Sequence, residues 1–157
     1  MQKLFKSRIF FVGALAVGFV FDRLGKSLAL QMKDQWSDPG NHILAFGYYP
    51  NEGIGFGLPL SQVVIVSATV IILAGLIGWL IQVVRRREIL QVWGLSLVLT
   101  GALNNFIDRI FFEHVIDYLK VFDWPIFNLA DVLIISGAAL VMLAWFRLST
   151  DRHLQNK

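Results

Sequence analysis

Two aspartates, Asp117 and Asp131, lie fourteen positions apart in stretches of sequence that are otherwise mostly apolar. A charged side chain in a membrane segment is costly, and it usually indicates a functional group with a specific partner. Two carboxylates held close together cannot both ionise easily, because each negative charge raises the pKa of the other. A pair that shares one proton can activate water with its ionised member and polarise a carbonyl with its protonated member. The pair therefore predicts acid–base hydrolysis, provided that the fold brings the two side chains together.

The neighbouring acidic side chains each have a candidate cation nearby in the sequence. Asp22 and Lys26 are four residues apart, so they lie on one face of a helix and can form an ion pair. Asp108 directly precedes Arg109, whose forked guanidinium group can bridge buried carboxylates. With these cations assigned, neither member of the aspartate pair has a cation of its own. An unpaired buried carboxylate usually shifts its pKa and becomes protonated. Two such carboxylates can share one proton, so each aspartate is the candidate partner of the other.

Three asparagines accompany these acids, and for two of them, Asn128 and Asn51, a simpler structural role is also open. Asn105 precedes Asp108 by three residues and Asn128 precedes Asp131 by three, so each pair shares a helical face. Asn128 is also suited to capping the start of a helix. Asn51 lies in the glycine-rich segment NEGIGFG, which carries no phosphate-binding signature and could be a plain turn. The spacing alone leaves both kinds of role open.

Composition places these polar residues in a membrane protein. Of the 157 residues, 56% are hydrophobic and 16% are charged, whereas a soluble domain averages about 45–50% apolar and about 25% charged residues. The mean hydropathy is +0.63. Basic residues cluster at the ends of apolar runs rather than along one face, which argues against a nucleic-acid partner. The lack of cysteine excludes disulfides, thiolate nucleophiles and cysteine-based metal sites.

Four apolar windows are long enough to cross a membrane, since a spanning helix needs about 20 mostly apolar residues. They cover roughly residues 8–30, 59–84, 89–109 and 125–147. The first window follows a basic segment, as in a signal peptide, but no convincing small-residue cleavage site follows it, so we expect it to be retained. The sequence thus predicts a single domain of residues 1–157, an all-α membrane protein built as a four-helix transmembrane bundle.

The basic residues indicate the orientation of these spans. One side of the predicted bundle, which includes both termini and the arginines at 85–87, carries nine basic and two acidic residues. The other side carries five basic and nine acidic residues. Cytoplasmic segments of membrane proteins are enriched in Lys and Arg, so both termini are predicted to be cytoplasmic. Asp117 and Asp131 then both lie at the outer face of the membrane.

Two segments are predicted to lie outside. The longer, about residues 31–58, contains aromatic residues of the kind that accumulate at membrane interfaces. Alternating apolar residues from Ile43 to Tyr49 favour a short strand or hairpin on the membrane surface. The other segment, about residues 110–123, is expected to be the outer loop that carries Asp117.

Other chemistries find less support in the sequence. His42 and His114 are isolated, with no second ligand at metal spacing, so neither a metal nor a cofactor is expected. Ser27 adjoins Lys26, but adjacent helical residues do not face each other, which disfavours a serine protease. The main alternative is a small proton-coupled transporter, in which membrane carboxylates relay protons. That alternative predicts acids spread through the membrane depth, whereas here they collect at one level.

The polar groups match one known family in their order and position. The chain resembles the lipoprotein signal peptidases (signal peptidase II), which are membrane aspartic proteases of bacteria. The resemblance covers nearly the whole chain and rests on five short motifs, each weak by itself and specific in combination. The motifs are Asp22 with Lys26, Asn51-x-Gly53 followed by Phe56, Gly101-Ala102 through Asn105-x-x-Asp108-Arg109, Val115-x-Asp117, and Phe127-Asn128-x-Ala130-Asp131.

The resemblance implies a role for each matching polar residue. Asp117 and Asp131 would be the catalytic dyad. The substrate pocket would be lined or braced by Asn51, Gly53, Asn105, Arg109 and Asn128. The helix ends would be held in register by Asp22, Lys26 and Asp108.

The resemblance also implies a substrate and a location. The family removes signal peptides from prolipoproteins on the amino side of a diacylglyceryl-modified cysteine, so such prolipoproteins and membrane lipid would be the partners. The protein would be a monomer in the bacterial cytoplasmic (inner) membrane, with its active site at the outer, periplasmic or extracellular, face. A small surface-lying sheet and a short amphipathic segment would accompany the four helices. A relative that binds lipoproteins without cutting them is a further alternative, and retention of both aspartates argues against it.

Two positions depart from the family pattern. Gly25 stands where the family usually has Thr or Ser, and Asn104 stands where glycine is usual. Both adjoin key residues without being key residues, so we expect them to affect packing rather than chemistry. The stretch from Asp117 to Asp131 is also shorter than in many relatives, which predicts a trimmed loop over the pair.

Overall fold

The computed structural model describes residues 2–33, 43–53, 61–122 and 124–155, and within these ranges it describes side chains from residue 12 to residue 147. The elements in chain order are α1 (Gln2–Gln31), β1 (Leu44–Asn51), α2 (Gln62–Arg86), α3 (Ile89–Phe112), β2 (Val115–Val121) and α4 (Leu129–Gln155). The protein is mostly helical with one small sheet, in agreement with the architecture expected from the sequence.

Three of these helices are long and apolar enough to cross a membrane. The candidate spans among the described residues are Gln62–Arg86, Ile89–Phe112 and Leu129–Arg147. Their outer surfaces are apolar: Val63 and Ile71 on α2 are 75% and 72% exposed, as expected for side chains that face lipid. Helix α1 corresponds to the first predicted span, and its crossing of the membrane stays a prediction.

Small residues bring α3 and α4 into close contact. A Cβ atom built on Gly94 would lie 2.7 Å from the carbonyl oxygen of Gly137, and one built on Gly137 would lie 2.5 Å from that of Gly94. A Cβ atom on Gly101 would clash with the carbonyl oxygen of Ala130 in the same way. Small residues at such positions let helix backbones approach closely inside a membrane. The contact places the middle of α3 beside the start of α4.

Helices α2 and α3 are joined by a tight turn, as the sequence predicts, although α2 continues through Arg86. Arg87 has a left-handed backbone (φ 59°), and its N–H group donates to carbonyl oxygens of the last turn of α2. The N–H group of Glu88 also donates to the carbonyl oxygen of Val83, at 3.0 Å. This arrangement satisfies carbonyls that a helix end otherwise leaves unpaired.

The strand predicted near Ile43 to Tyr49 is confirmed as β1, but its partner is distant in sequence. β1 pairs antiparallel with β2, which lies in the segment that was expected to be a loop. That expectation is wrong because Ile116 and Tyr118 of β2 are buried in a cluster with Ala29 of α1, which favours an ordered strand over an exposed loop. The register shifts between Phe46 and Tyr49, so β1 contains a bulge.

Several sequence-based expectations fall outside the described residues. They concern the parts of the first outer loop at residues 34–42, which include His42, and at residues 54–60, which include Phe56, and with them the short amphipathic segment implied for that loop. The fourth helix begins at Leu129 rather than near 125, because Phe127 bonds to β2 instead of continuing the helix.

The α3–α4 contact predicts that two matched glycine substitutions differ in their effect on stability. Gly94→Ala places a methyl group against the backbone of Gly137, so it should destabilise the protein by about 1–3 kcal/mol, the usual cost of overpacking. Gly75→Ala on α2 meets nothing within 4 Å and should be neutral or stabilise the helix by about 0.5–1 kcal/mol. Melting temperatures of the purified variants in detergent test both. Equal melting temperatures for the two variants would contradict the close packing.

Candidate active site

Asp117 and Asp131 line one cavity. Asp117 lies in β2 and Asp131 lies in the first turn of α4, and Asp117 is only 3% exposed. The cavity has a volume of about 450 Å³. Its other lining residues are Asn51, Gly53, Asn105, Arg109, Val115, Pro125, Ile126, Phe127, Ile134 and Ile135. The fold therefore brings together most of the residues expected at the site, at one end of the helices.

Asp131 is fixed by the way α4 begins. The N–H group of Asp131 donates to Asn128 Oδ1 at 2.9 Å, and the N–H group of Asn128 donates to Asp131 Oδ2 at 3.2 Å. This reciprocal pair is a capping box, which satisfies two of the donors that a helix start leaves unpaired. The capping role suggested for Asn128 is thus present, and it uses the carboxylate of Asp131 itself.

Asn128 also contacts the second carboxylate. Its Nδ2 donates to Asp117 Oδ1 at 2.6 Å, and Asn51 Nδ2 donates to Asp117 Oδ2 at 2.9 Å. One buried asparagine therefore bonds to both aspartates. Asn51 reaches Asp117 because β1 pairs with β2, where Tyr49 stands opposite Asp117.

The remaining oxygen of Asp131 is held from α3. Asn105 Nδ2 donates to Asp131 Oδ1 at 2.9 Å, while Asn105 Oδ1 accepts from Lys26 Nζ at 2.7 Å. Lys26 thereby orients the amide so that its donor faces the carboxylate. All four oxygens of Asp117 and Asp131 accept a hydrogen bond, and each of these bonds comes from an uncharged amide group.

A short bridge ties the approach to α4 onto β2. The N–H groups of Tyr118 and Leu119 both donate to the carbonyl oxygen of Phe127, and the N–H group of Phe127 donates to that of Leu119 at 2.9 Å. The segment before α4 therefore runs along β2. This bridge sets the separation between the strand that carries Asp117 and the helix that carries Asp131.

Behind the site lies a buried ion network between α1 and α3. Lys26 Nζ is 3.1 Å from Asp22 Oδ2, so the ion pair expected from their spacing is present, and it is 2.6 Å from Asp108 Oδ2. Arg23 Nη2 is 2.6 Å from Asp108 Oδ1. Two cations balance two carboxylates, which offsets the desolvation of each group. Asp108 also accepts the N–H group of Ile116 at 3.2 Å, so the network extends into β2.

The pairing expected between Asp108 and Arg109 is wrong. Arg109 Nη2 instead donates to the carbonyl oxygen of Gly53 at 2.7 Å, at the wall of the cavity. Asp108 takes its cations from α1, namely Arg23 and Lys26. Adjacent residues on a helix point in different directions, so Asp108 can face α1 while Arg109 faces the β1 end.

Sequence reasoning missed two further residues, Arg23 and Tyr118. Arg23 adjoins Asp22 and lies three residues before Lys26. This spacing was the available signal that α1 carries a second cation near the first. Tyr118 is buried and its hydroxyl donates to Asp22 Oδ1 at 3.2 Å. No spacing in the sequence pointed to that contact, because the two residues are 96 positions apart.

His114 has a structural partner. Its Nε2 lies 2.7 Å from the hydroxyl of Tyr48 on β1. Among the described residues, no group of three or more His, Cys, Asp or Glu side chains is arranged to hold a metal ion.

Burial shifts the titration of Asp117. Loss of water around the side chain raises its pKa from an ordinary value near 3.8 to about 6, and the charge of Asp131 adds to this rise. The hydrogen bonds from Asn51 and Asn128 act in the opposite direction, because they stabilise the ionised form. A carboxyl group with this pKa can take up and release a proton near neutral pH, as general acid–base chemistry requires.

Comparison with known proteins identifies a family that the chain matches. The family description "Signal peptidase (SPase) II" matches residues 14–147. A lipoprotein signal peptidase of Pelotomaculum thermopropionicum is 43% identical over 111 residues, covering 70% of this chain and 71% of that protein. One from Clostridium acetobutylicum is 30% identical over 151 residues, covering 91% and 96%. A solved structure of a bacterial membrane enzyme has a similar fold, with a TM-score of 0.73, 24% identity and 90% coverage of each chain.

The raised pKa predicts a pH-dependent difference between the protein and Asp117→Asn. The folded state binds the Asp117 proton more tightly than the unfolded state, so ionisation costs stability as pH rises from about 4 through 6. The asparagine of the variant does not titrate and avoids this loss. The melting temperature of the variant relative to the unsubstituted protein should therefore increase by several degrees between pH 4 and pH 8, corresponding to about 2–3 kcal/mol. A difference that does not vary with pH would exclude the raised pKa.

Proposed function

The chain belongs to the signal peptidase II family, whose members are aspartic peptidases, and we propose that it removes signal peptides from prolipoproteins. Cleavage would occur on the amino side of a diacylglyceryl-modified cysteine. The proposal extends to this chain the substrate class named for its relatives, the lipoprotein signal peptidases. Membrane lipid would surround the helices, and the enzyme would act as a monomer.

The observation that carries the assignment of the dyad is the double contact of Asn128. This side chain and its backbone bond to both Asp117 and Asp131. The two carboxylates also face the same cavity. Such an arrangement supports a pair that shares a proton, because the hydrogen bonds that both carboxylates accept from the described residues come from neutral amides and not from cations.

The proposed mechanism is hydrolysis by a water activated between the two carboxylates. The ionised aspartate takes a proton from the water, while the protonated one donates a hydrogen bond to the scissile carbonyl oxygen. The resulting tetrahedral intermediate collapses when a proton is delivered to the leaving amine. Amide donors orient the carboxylates without neutralising them, which favours this exchange of protons. The reaction forms no covalent link between enzyme and substrate.

The walls of the cavity suit a mostly apolar peptide. Apolar side chains line one part of it, including Val115, Ile126 and Ile134, and polar groups line the part near the dyad. Ligand sites in proteins commonly combine apolar walls with a few placed polar groups. We assign the polar residues of the wall, Asn51, Gly53, Asn105 and Arg109, to substrate binding. Asn128, which bonds to both aspartates, is assigned to bracing of the dyad.

We propose that α1 is a fourth span and that both termini are cytoplasmic. Arg85 and Arg86 lie in the last turn of α2, just before the turn that leads into α3. The dyad lies at the opposite end of α3, beside the start of α4. The excess of basic residues favours a cytoplasmic location for the arginine end. The dyad would then open at the outer face of the bacterial inner membrane.

Asp117→Asn and Asp131→Asn should each abolish cleavage of a diacylglyceryl-modified prolipoprotein, because a single carboxylate cannot supply both proton transfers. The expected loss is at least about 10³-fold. Glu113→Gln is the matched control, since this exposed carboxylate lies near the same end of α3 and does not line the cavity. Cleavage is followed with purified protein by the size change of the substrate, with the unmodified precursor measured in parallel.

The outcomes of that assay separate the parts of the proposal. Cleavage of the modified precursor alone supports the substrate class. Normal turnover by either Asn variant would refute the dyad. Cleavage of neither precursor by the folded protein would refute the peptidase assignment for these substrates.

The proposed orientation predicts which introduced cysteines an impermeant thiol reagent can reach from outside the cell. The chain has no native cysteine, so Glu52→Cys and Arg86→Cys each introduce a single thiol, at exposed positions at opposite ends of the helices. We expect the Glu52→Cys variant to be labelled in intact spheroplasts and the Arg86→Cys variant to be labelled only after the membrane is opened. The reverse pattern would overturn the orientation without bearing on the dyad.

A further inference from the structure

The first turn of α4 is held by three side chains that come from three different parts of the chain. The N–H group of Leu129 donates to the hydroxyl of Tyr118 at 3.2 Å, that of Ala130 to Asp22 Oδ1 at 3.1 Å, and that of Asp131 to Asn128 Oδ1 at 2.9 Å. A helix start leaves its first N–H groups without intrahelical partners. Here those groups become the attachment points of the helix to β2 and α1.

Tyr118 is the member of this set that connects β2 to both α1 and α4. Its hydroxyl accepts from Leu129 and donates to Asp22 Oδ1 at 3.2 Å, so both of its hydrogen-bonding directions are used. It directly follows Asp117 in β2. The contact between Tyr118 and Leu129 therefore links the strand that carries one aspartate to the helix that carries the other.

The ring of Tyr118 packs against α1 at Gly25, where the lack of a side chain leaves room for it. A Cβ atom built on Gly25 would lie 2.6 Å from Cζ and 2.8 Å from the hydroxyl oxygen of Tyr118. Contacts under about 3 Å do not occur for real Cβ atoms, so any side chain at position 25 would displace this ring. The absence of a side chain at Gly25 is therefore what allows the hydroxyl to reach both Asp22 and Leu129.

We propose that Tyr118, accommodated by Gly25, is a positioning residue that sets the first turn of α4 so that Asp131 faces Asp117. Tyr118 is buried, at 4% exposure, and does not line the cavity. It acts on the reaction through the backbone of α4 and not by contact with substrate. The inference rests on the proposed dyad, because it concerns the geometry of that pair.

Tyr118→Phe tests the inference with the least disturbance, since it removes only the hydroxyl and keeps the ring contacts with Phe46 and Ile116. The amide of Leu129 should exchange its hydrogen about three- to tenfold faster, as expected for loss of one hydrogen bond. The value of kcat should fall about 10- to 100-fold, the effect of a small misplacement of a reacting group. KM should change by less than about twofold, because Tyr118 does not line the cavity and the contacts that bind the substrate in its ground state are unchanged.

Tyr48→Phe is the matched control. It removes a hydroxyl from the same sheet, where Tyr48 bonds to His114 and not to α4. Its kcat and its Leu129 exchange rate should equal those of the unsubstituted enzyme. If Tyr118→Phe keeps full kcat, or if both Phe variants lose kcat equally, the positioning role is overturned.

Gly25→Ala gives an independent arm. By displacing the ring it should reproduce the kcat loss of Tyr118→Phe, and the double variant should lose little more than Gly25→Ala alone, because both changes remove the same contact. If the kcat losses of the two single variants instead add in the double variant, Gly25 and Tyr118 act independently and the proposed coupling between them is wrong. The exchange rate of Leu129 reports on the contact even if the Asn variants of the dyad stay active, so failure of the proposed function is distinguishable from failure of this inference.

Discussion

The interaction on which the rest of the site depends is the burial of Lys26 between two carboxylates. Lys26 is 1% exposed, and Asp22 and Asp108 are fully buried. Charges removed from water must stay paired, since breaking such a pair costs about 3–5 kcal/mol. α1 and α3 are therefore fixed against each other at this level. The same two aspartates accept hydrogen bonds from backbone N–H groups at the start of α4 and in β2. Helices α1, α3 and α4 and strand β2 therefore meet at one ion network.

The protein treats its two pairs of aspartates differently. The network pair is neutralised by Lys26 and Arg23, whereas the hydrogen bonds that Asp117 and Asp131 accept from the described residues come from amide groups. Amide donors fix the position of a carboxylate but stabilise its charge less than a cation does. Burial can then raise the pKa of Asp117 to about 6. Lys26 contributes to both pairs, because its bond to Asn105 directs an amide donor toward Asp131.

Much of the fold could be predicted because membrane helices are recognisable from the length of their apolar runs. The prediction of α2, α3 and the apolar part of α4 depends only on local composition. The prediction of the strand near Ile43 depends only on the local alternation of apolar residues. The partner of that strand could not be predicted, because pairing between β1 and β2 joins positions as distant in the chain as Asn51 and Val115. The pairing of Asp108 with Arg109 failed for the same reason: proximity along a helix does not determine the neighbouring helix that a side chain faces.

The sequence by itself determined the apolar spans and the identity of the unusual polar residues, because the cost of placing charge in a membrane makes each such residue conspicuous. It also carried the motifs that identify the family. Only the tertiary structure decided which carboxylates receive cations and which receive amides, since that depends on contacts between α1, α3, β2 and α4. Gly25 illustrates the difference. In the sequence it is a small residue beside a lysine, and in the structure it is the space that lets Tyr118 reach the start of the helix carrying Asp131.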